Sequence, residues 1–351
     1  MKRAIARLGA HAEAIARISS ERRLEITAVV LAVLCWCGCS DHTSRVPQAN
    51  GTPTAVKVGY IPFSNCLPFF VAQEKGFFVA RGLQVSAVRF NDSTEALNAL
   101  IAGQVDALAG ITFSSYWAAE QEESGRFKLF LRHYEKPEDP FSYLLTRKGS
   151  NIKELPDLRG KKIGTYSGVS QLLYLRLFLK KIELDPGKDV TILQVSTELQ
   201  IQALAAGQYD ALFTVEPYGT ITVLKDVGQI LVASPRTKYI QNPFWGGAAA
   251  VTTKYLNENR KTVALLYEGM ADGVRFTRQN VAAAKEILPN YTPMESEVAV
   301  KSGLYEWVLL DETVPTDGIQ SLADTMAAEG VLRKKIDAVT MLLKPEDLVA
   351  P

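Results

Sequence analysis

The sequence ALIAGQVDAL, residues 99–108, returns later in the chain as ALAAGQYDAL, residues 203–212. In each copy an apolar run with helical spacing ends at a Gly-Gln turn, and a strand pattern begins at the Asp-Ala pair. One α/β unit that occurs twice in a chain predicts two similar lobes. Two lobes that face each other leave a cleft, which is where small ligands are bound.

The similarity continues on the N-terminal side of both copies. Ser93 corresponds to Thr197, and the strand pattern at residues 83–90 corresponds to the one at residues 190–195. Further upstream, residues 56–62 and residues 162–168 both read as a strand that ends in glycine and an aromatic residue. Helix, glycine and strand in succession are common in α/β proteins, so this longer match is what favours a true duplication.

The predicted fold is therefore α/β, with two similar Rossmann-like lobes joined by two hinge crossings. Residues 141–148 read as the outgoing strand and residues 246–253 as the returning one, with Gly246-Gly247 suited to a hinge. Beyond Tyr255 the apolar spacing becomes helical, and this part is expected to pack on lobe 1. The predicted divisions are a signal peptide at 1–38, a flexible tether at 39–54, lobe 1 at 55–143 and 250–351, and lobe 2 at 144–249.

The N-terminal segment predicts export. Arg22-Arg23 precede an apolar stretch of about eleven residues, which is too short for a comfortable membrane span and is typical of a secretory leader. The stretch ends at Gly38-Cys39, which resembles the lipobox of bacterial lipoproteins, although Trp36 departs from the usual aliphatic residue. Cys39 is thus the predicted lipidation site, and the protein is expected in the periplasm or at the outer cell surface, tethered to a membrane. Ordinary secretion and a retained anchor remain open.

The composition excludes several classes of function. The chain has 351 residues, of which 47% are hydrophobic and 22% charged, and its net charge is +1, so no basic excess points to nucleic acid. His133 is the only histidine outside the leader and tether, and Cys66 is the only such cysteine, which leaves no basis for a zinc cluster, a disulfide or a catalytic triad. No phosphate-binding glycine motif is present, and no cofactor and no catalytic residue are expected.

Several stretches resemble a known family, namely VKVGYIP at 56–62, PFFVAQEKGFF at 68–78, and the repeated ALxAG-Q-x-DAL run. They are similar to the periplasmic solute-binding proteins of ABC importers that handle nitrate, taurine, aliphatic sulfonates and the thiamine pyrimidine precursor. The resemblance covers about residues 55–255. It implies the type II periplasmic binding fold, a small-molecule ligand, an ABC permease with its ATPase as partner, and a monomer.

Polar residues at the carboxyl ends of the predicted strands are the candidate ligand contacts, because that edge of an open α/β sheet binds ligands. Helix N-termini there also favour anions, although each Ser or Thr could instead be a helix cap. The predicted ligand-binding residues are Ser64, Asn65, Ser93, Thr94, Thr112, Ser114, Tyr166, Ser167, Gly168, Ser170, Thr197, Glu216 and Tyr218. Stacking surfaces are expected among Phe63, Trp117, Tyr166, Tyr218 and Trp245.

No Arg or Lys lies in these predicted loops, and the Glu216 carboxylate would repel an anion. Two roles are expected for Glu216: it accepts a hydrogen bond from an amine or hydroxyl of the ligand, or it braces a neighbouring loop. The predicted ligand is therefore a small organic molecule, sulfonate-like or heteroaromatic. A fully charged, dehydrated inorganic anion such as nitrate is not expected. The predicted function is a lipid-anchored binding component of an ABC importer and not an enzyme. Two alternatives stay open, a thiamine-pyrimidine synthase-like enzyme and a ligand receptor for a sensor or chemotaxis protein.

Overall fold

The two copies of the repeat occupy equivalent places in two β-sheets of this computed structural model, which describes residues 52–349. The first sheet has the strand order β11-β4-β10-β3-β1-β2, and the second has the order β7-β6-β8-β5-β9. The strands of the first sheet are β1 (Thr54–Tyr60), β2 (Leu83–Arg89), β3 (Ala107–Thr112), β4 (Phe127–Glu135), β10 (Phe244–Thr252) and β11 (Glu306–Val308). The strands of the second are β5 (Ser142–Arg147), β6 (Lys162–Tyr166), β7 (Thr191–Val195), β8 (Ala211–Val215) and β9 (Gly228–Ala233).

Both sheets are built on the same plan. In the first, β1 pairs in parallel with β2 and β3, and in the second β6 pairs in parallel with β7 and β8. An antiparallel strand then follows in each, β10 beside β3 and β5 beside β8. The predicted α/β class with two similar halves is confirmed.

Helices connect and cover these strands. They are α1 (Leu67–Glu74), α2 (Ser93–Ile101), α3 (Phe113–Glu120), α4 (Val169–Lys181), α5 (Gln200–Ala205), α6 (Tyr218–Leu224), α7 (Pro235–Tyr239), α8 (Thr253–Gln279), α9 (Val281–Lys285), α10 (Ser296–Lys301) and α11 (Asp317–Ala328). The long helix α8 presents an apolar stripe that includes Val263, Leu266 and Met270, all buried, and packs against α1 of the first sheet. Within residues 52–349 no helix combines the length and the apolar character that crossing a membrane requires.

Asp106 and Asp210, the aspartates of the duplicated motif, connect neighbouring strands of each sheet. The Asp106 carboxylate accepts a hydrogen bond from the Lys57 backbone N–H at 2.7 Å, and the Asp210 carboxylate accepts one from the Lys162 N–H at 2.9 Å. The motif thereby ties the start of β3 to β1 in the first sheet and the start of β8 to β6 in the second. The turn glycines before them, Gly103 and Gly207, have φ values of 67° and 70°, a left-handed conformation that favours glycine.

The chain changes sheets twice. It leaves the first sheet after Glu135 and enters the second at Ser142, and it leaves the second after Ala233 and returns to the first at Phe244. Ser142 and Phe244 come slightly before the predicted lobe limits at 143 and 249, and where the lobes themselves divide stays a prediction. The predicted signal peptide and the lipidation site Cys39 lie outside the described residues, as does most of the tether.

Candidate functional site

Two helix N-termini meet between the sheets. Helix α3 follows β3 of the first sheet, helix α4 follows β6 of the second, and the Ser170 hydroxyl lies 2.6 Å from the Ser114 hydroxyl. Thr112 Oγ1 lies 3.0 Å from the Ser114 hydroxyl and extends this hydrogen-bonded group. Neither helix has a side-chain cap. The positive ends of two helix dipoles therefore converge at these hydroxyls, a setting that attracts negative charge.

Gly168, in the turn before α4, has a backbone conformation that glycine adopts easily and that lets another group come close to the chain. Gly168 has φ 151° and ψ 137°, which residues with a side chain rarely adopt. The Ser167 hydroxyl donates to the Val195 carbonyl at 3.4 Å, and the Gly168 N–H donates to Gln194 Oε1 at 3.4 Å. These contacts attach the predicted residues Ser167 and Gly168 to β7, the neighbouring strand.

Ser64 and Asn65 form the short 3-10 turn that follows the first strand. Both are buried, and Asn65 Nδ2 donates to the Gly110 carbonyl of β3 at 3.2 Å. Ser64 Oγ and Asn65 Oδ1 have no hydrogen-bond partner within residues 52–349. The pair thus reaches the end of β3, next to Thr112, but makes no hydrogen bond to the Ser114–Ser170 contact.

Other predicted residues stay apart from that contact. Asp92 caps α2, because its carboxylate accepts hydrogen bonds from the Thr94 N–H at 2.8 Å and the Glu95 N–H at 2.9 Å. Neither Ser93 nor Thr94 is the cap. Thr197 and Tyr218 are half-buried at the second sheet. Within the described chain no hydrogen bond joins their side chains to Ser114 or Ser170.

Glu216 connects the second sheet with the C-terminal segment through buried hydrogen bonds. Its side chain is fully buried and accepts hydrogen bonds from Tyr143 Oη at 2.8 Å, from Thr220 Oγ1 at 2.7 Å and N–H at 3.1 Å, and from the Gly303 N–H at 3.0 Å. Burial raises the pKa of Glu216, although these hydrogen bonds oppose the rise. Of the two roles expected for Glu216, the contacts favour bracing a neighbouring loop.

Arg236 is the residue that the sequence analysis missed. It lies in α7, just after β9, is 4% exposed, and donates through Nη2 to Gln171 Oε1 and, at 3.4 Å, to the Tyr166 hydroxyl. No Arg or Lys lies within the predicted loops themselves, but the Arg236 guanidinium, from outside them, contacts the predicted residue Tyr166. Arg236 follows β9, one strand beyond the last predicted contact loop, and its only sequence signal is the Ser-Pro-Arg turn at residues 234–236.

The expected stacking surfaces are only partly available. Trp117 and Trp245 are buried, Trp117 against Phe113 with ring centroids 5.3 Å apart and Trp245 against Tyr134 at 5.2 Å. They pack in the core, whereas Phe63, Tyr166 and Tyr218 keep part of their surface accessible. An open groove of about 560 Å³ lies along α11, and none of its lining residues is a predicted ligand contact.

The His133 imidazole and the Cys66 thiol are both buried away from solvent. Burial lowers the pKa of His133 to about 3, so the imidazole is neutral, and it packs on Tyr305 with centroids 4.7 Å apart. Burial raises the pKa of the Cys66 thiol to about 12, and the thiol donates to the Gly110 carbonyl at 3.4 Å. Within residues 52–349 no group of three or more His, Cys, Asp or Glu side chains is placed to hold a metal ion.

Comparisons with known proteins agree with this architecture. The model of the NMT1-like family matches residues 49–289. The putative aliphatic sulfonates-binding protein of Bacillus subtilis (strain 168) is 24% identical over 327 residues, which cover 90% of this chain and 93% of that protein.

Two solved structures show the fold. The alkanesulfonate-binding protein SsuA from Xanthomonas axonopodis pv. citri, bound to MOPS, has a TM-score of 0.65 and 18% identity, over 84% of this chain and 99% of that one. The periplasmic nitrate-binding protein NrtA from Synechocystis PCC 6803 has a TM-score of 0.67 and 14% identity, over 84% of this chain and 87% of that one. The predicted type II periplasmic binding fold and the resemblance to ABC-importer binding proteins are both confirmed.

Proposed function

We propose that this chain, which belongs to the NMT1-like family, is the extracytoplasmic ligand-binding component of an ABC importer. The observation that carries the proposal is the 2.6 Å contact between Ser114 and Ser170, because it brings a helix N-terminus from each sheet to one place. A ligand held there touches both halves at once. The ligand class we propose is a small organic molecule, sulfonate-like or heteroaromatic.

The mechanism follows from that placement. A ligand that contacts both lobes only when they are shut binds the closed form better, and its binding free energy shifts the population toward that form. A ligand that touched one lobe equally in both forms would shift nothing. The closed form then delivers the ligand to the permease, which works with its ATPase.

The ligand is identified by thermal unfolding with a panel of MOPS, nitrate, pyrimidines and flavins. A ligand at 100 times its dissociation constant stabilises the folded protein by about 2.7 kcal/mol. We expect one class to raise the unfolding temperature and the double variant Ser114→Ala/Ser170→Ala to lose most of that rise. Ser321→Ala, an exposed serine on α11, is the matched control. A panel without any effect, or a double variant that responds like wild type, would contradict the proposal.

We also propose that the mature protein is exported and anchored through lipid on Cys39. Membrane fractionation of the wild type and of Cys39→Ser tests the anchor, and mass spectrometry of the N-terminal peptide tests the modification. The wild type is expected in the membrane fraction and the variant in the soluble fraction. Adjacent permease and ATPase genes are expected, whereas a neighbouring histidine kinase gene would favour the receptor alternative.

A further inference from the structure

Arg236 is a buried guanidinium with unused hydrogen-bonding capacity. An arginine offers five N–H donors in a rigid planar fork, and only Nη2 is engaged, by Gln171 and Tyr166. Nε is buried without a partner, and Nη1 donates no hydrogen bond within residues 52–349. Burying a charge without pairing it is unfavourable, so the unused donors are open to a water molecule or a ligand.

The walls around the guanidinium are aromatic. Its Cζ lies 5.1 Å from the centroid of the Tyr174 ring and 5.4 Å from that of Phe244. Both rings are buried, and so is Tyr305. Burial lowers the pKa of Arg236, but Coulombic interactions with Tyr166, Tyr305 and the Glu135 carboxylate outweigh it and raise the pKa. These rings keep bulk water away from the cation, so an anion that reaches it is attracted more strongly than at an exposed site.

The nearby Glu135 carboxylate attracts this cation but forms no hydrogen-bonded ion pair with it in the described part of the chain. Glu135 Oε1 accepts from the Phe141 N–H at 3.1 Å and from the Ser142 N–H and hydroxyl, both at 2.8 Å. Glu135 Oε2 has no partner, and Arg236 forms no ion pair with a carboxylate in the described part of the chain. Burial raises the pKa of Glu135, and the attraction of Arg236 and the hydrogen bonds from Ser142 and Phe141 oppose that rise.

The guanidinium also lies beside the helix start described above. Its two partners flank the N-terminus of α4, Tyr166 just before the Gly168 turn and Gln171 in the first helical turn. Helix α4 has 13 residues and no side-chain cap, so its first N–H groups and its dipole are directed at the same region. The guanidinium thus lies beside the first turns of α4, at Gln171 and Tyr174, in the same half of the molecule as that helix N-terminus.

We propose that Arg236, with the N-terminus of α4, binds an oxyanion group of the ligand. The recognised chemistry is a carboxylate- or sulfonate-type group, which accepts a charge-assisted hydrogen bond from a free guanidinium N–H. This inference rests on the proposed function and makes it narrower, because it selects an anionic ligand over a neutral heteroaromatic one. It assigns to Arg236 the role of the specificity-determining residue.

The test compares butane-1-sulfonate with butane-1-sulfonamide, which has the same carbon chain without the charge. Isothermal titration and thermal unfolding are carried out on the full chain, as wild type, Arg236→Gln and Arg236→Lys. Arg176→Gln, an exposed arginine on the same helix α4, is the matched control. Sodium nitrate and sodium sulfate, against chloride at equal ionic strength, separate a free inorganic anion from an organic one.

We expect the sulfonate, and not the sulfonamide, to bind the wild type and Arg176→Gln equally. Arg236→Gln should bind about 10- to 100-fold more weakly, because charge-assisted hydrogen bonds are lost, and Arg236→Lys should lie between. Equal binding of sulfonate and sulfonamide by the wild type, or undiminished sulfonate binding by a folded Arg236→Gln, would overturn the inference. If Arg236→Gln does not fold, Arg236→Lys and the wild-type comparison decide.

The outcomes separate this inference from the proposed function. Stabilisation of the wild type by a pyrimidine or a flavin alone would leave the binding-protein proposal standing and refute the role of Arg236. Undiminished sulfonate binding by Arg236→Gln would likewise refute the role of Arg236 and leave the binding-protein proposal standing. A wild type that responds to no compound contradicts both proposals.

Discussion

Replacing Glu216 tests whether a buried carboxylate joins the second sheet to the C-terminal segment. The side chain accepts four hydrogen bonds, from Tyr143, Thr220 and Gly303. Glu216→Ala removes all four and leaves the Gly303 and Thr220 N–H groups without that acceptor in a buried place. Each unsatisfied buried group costs about 1–3 kcal/mol, offset in part because the carboxylate itself is no longer buried.

The expected net loss for Glu216→Ala is about 3 kcal/mol. With an unfolding entropy of about 2 cal/mol/K per residue, that loss lowers the unfolding temperature of a chain of this size by about 5 °C. Differential scanning calorimetry measures the shift, with Glu258→Ala, an exposed glutamate in α8, as the control. An unfolding temperature for Glu216→Ala that equals the control would refute the bracing role.

Glu216→Gln separates the hydrogen bonds from the charge. The amide oxygen can still accept, so we expect a loss of only about 1 kcal/mol near neutral pH. Burial raises the folded-state pKa of Glu216 above its usual 4.5, so the folded protein holds this proton more tightly than the unfolded chain. The stability that the proton contributes is present below pH 4.5 and is lost as the pH rises through the folded-state pKa. Wild-type stability relative to Glu216→Gln should therefore fall over that window, and a rise would contradict the assignment.

Three further predictions concern the packing around the site. Ser114→Cys/Ser170→Cys should form an intramolecular disulfide on mild oxidation, because the two hydroxyls lie 2.6 Å apart; failure to find the linked peptides by mass spectrometry would contradict the contact between the sheets. Gly247→Ala should reduce the unfolding temperature strongly, because a Cβ there would overlap the Ile111 carbonyl of the adjacent strand; Gly330→Ala, at an open turn, controls for local backbone strain alone. Cys66, buried and with its pKa raised to about 12, should react with a thiol reagent only after unfolding, and rapid labelling of its peptide in the native protein would show that the thiol is accessible.

Much of the fold could be predicted because it depends on local patterns that occur twice. The apolar spacing, the Gly turn and the Asp-Ala start of a strand each act over a few residues, and the structure places both copies as predicted. The paired contacts of Asp106 with β1 and of Asp210 with β6 explain why the motif is so similar in the two copies. The sheet changes near Ser142 and Phe244 were placed only to within a few residues, because strand patterns do not reveal which sheet a strand joins.

The site was harder to predict because it depends on contacts between distant segments. Ser114 and Ser170 looked like two of many possible caps, and their proximity depends on how the two sheets face each other. Likewise Arg236 lies beyond a strand whose end carried no candidate, and only its burial against Tyr166 connects it with the site. A sequence pattern identifies which turns are polar, but not which polar turns meet.

The buried charges at the base of the site differ in how well the protein satisfies them. Glu216 receives four hydrogen bonds, and one oxygen of Glu135 receives three, each including backbone N–H groups next to a sheet crossing. Arg236 has its Nε unpartnered in the same region. An unsatisfied buried charge is the least favourable of these states. Glu135 Oε2 also lacks a partner, but of the two open groups only the guanidinium is suited to take an anion from outside. The carboxylates then serve the connection between the sheets, and the arginine serves the ligand.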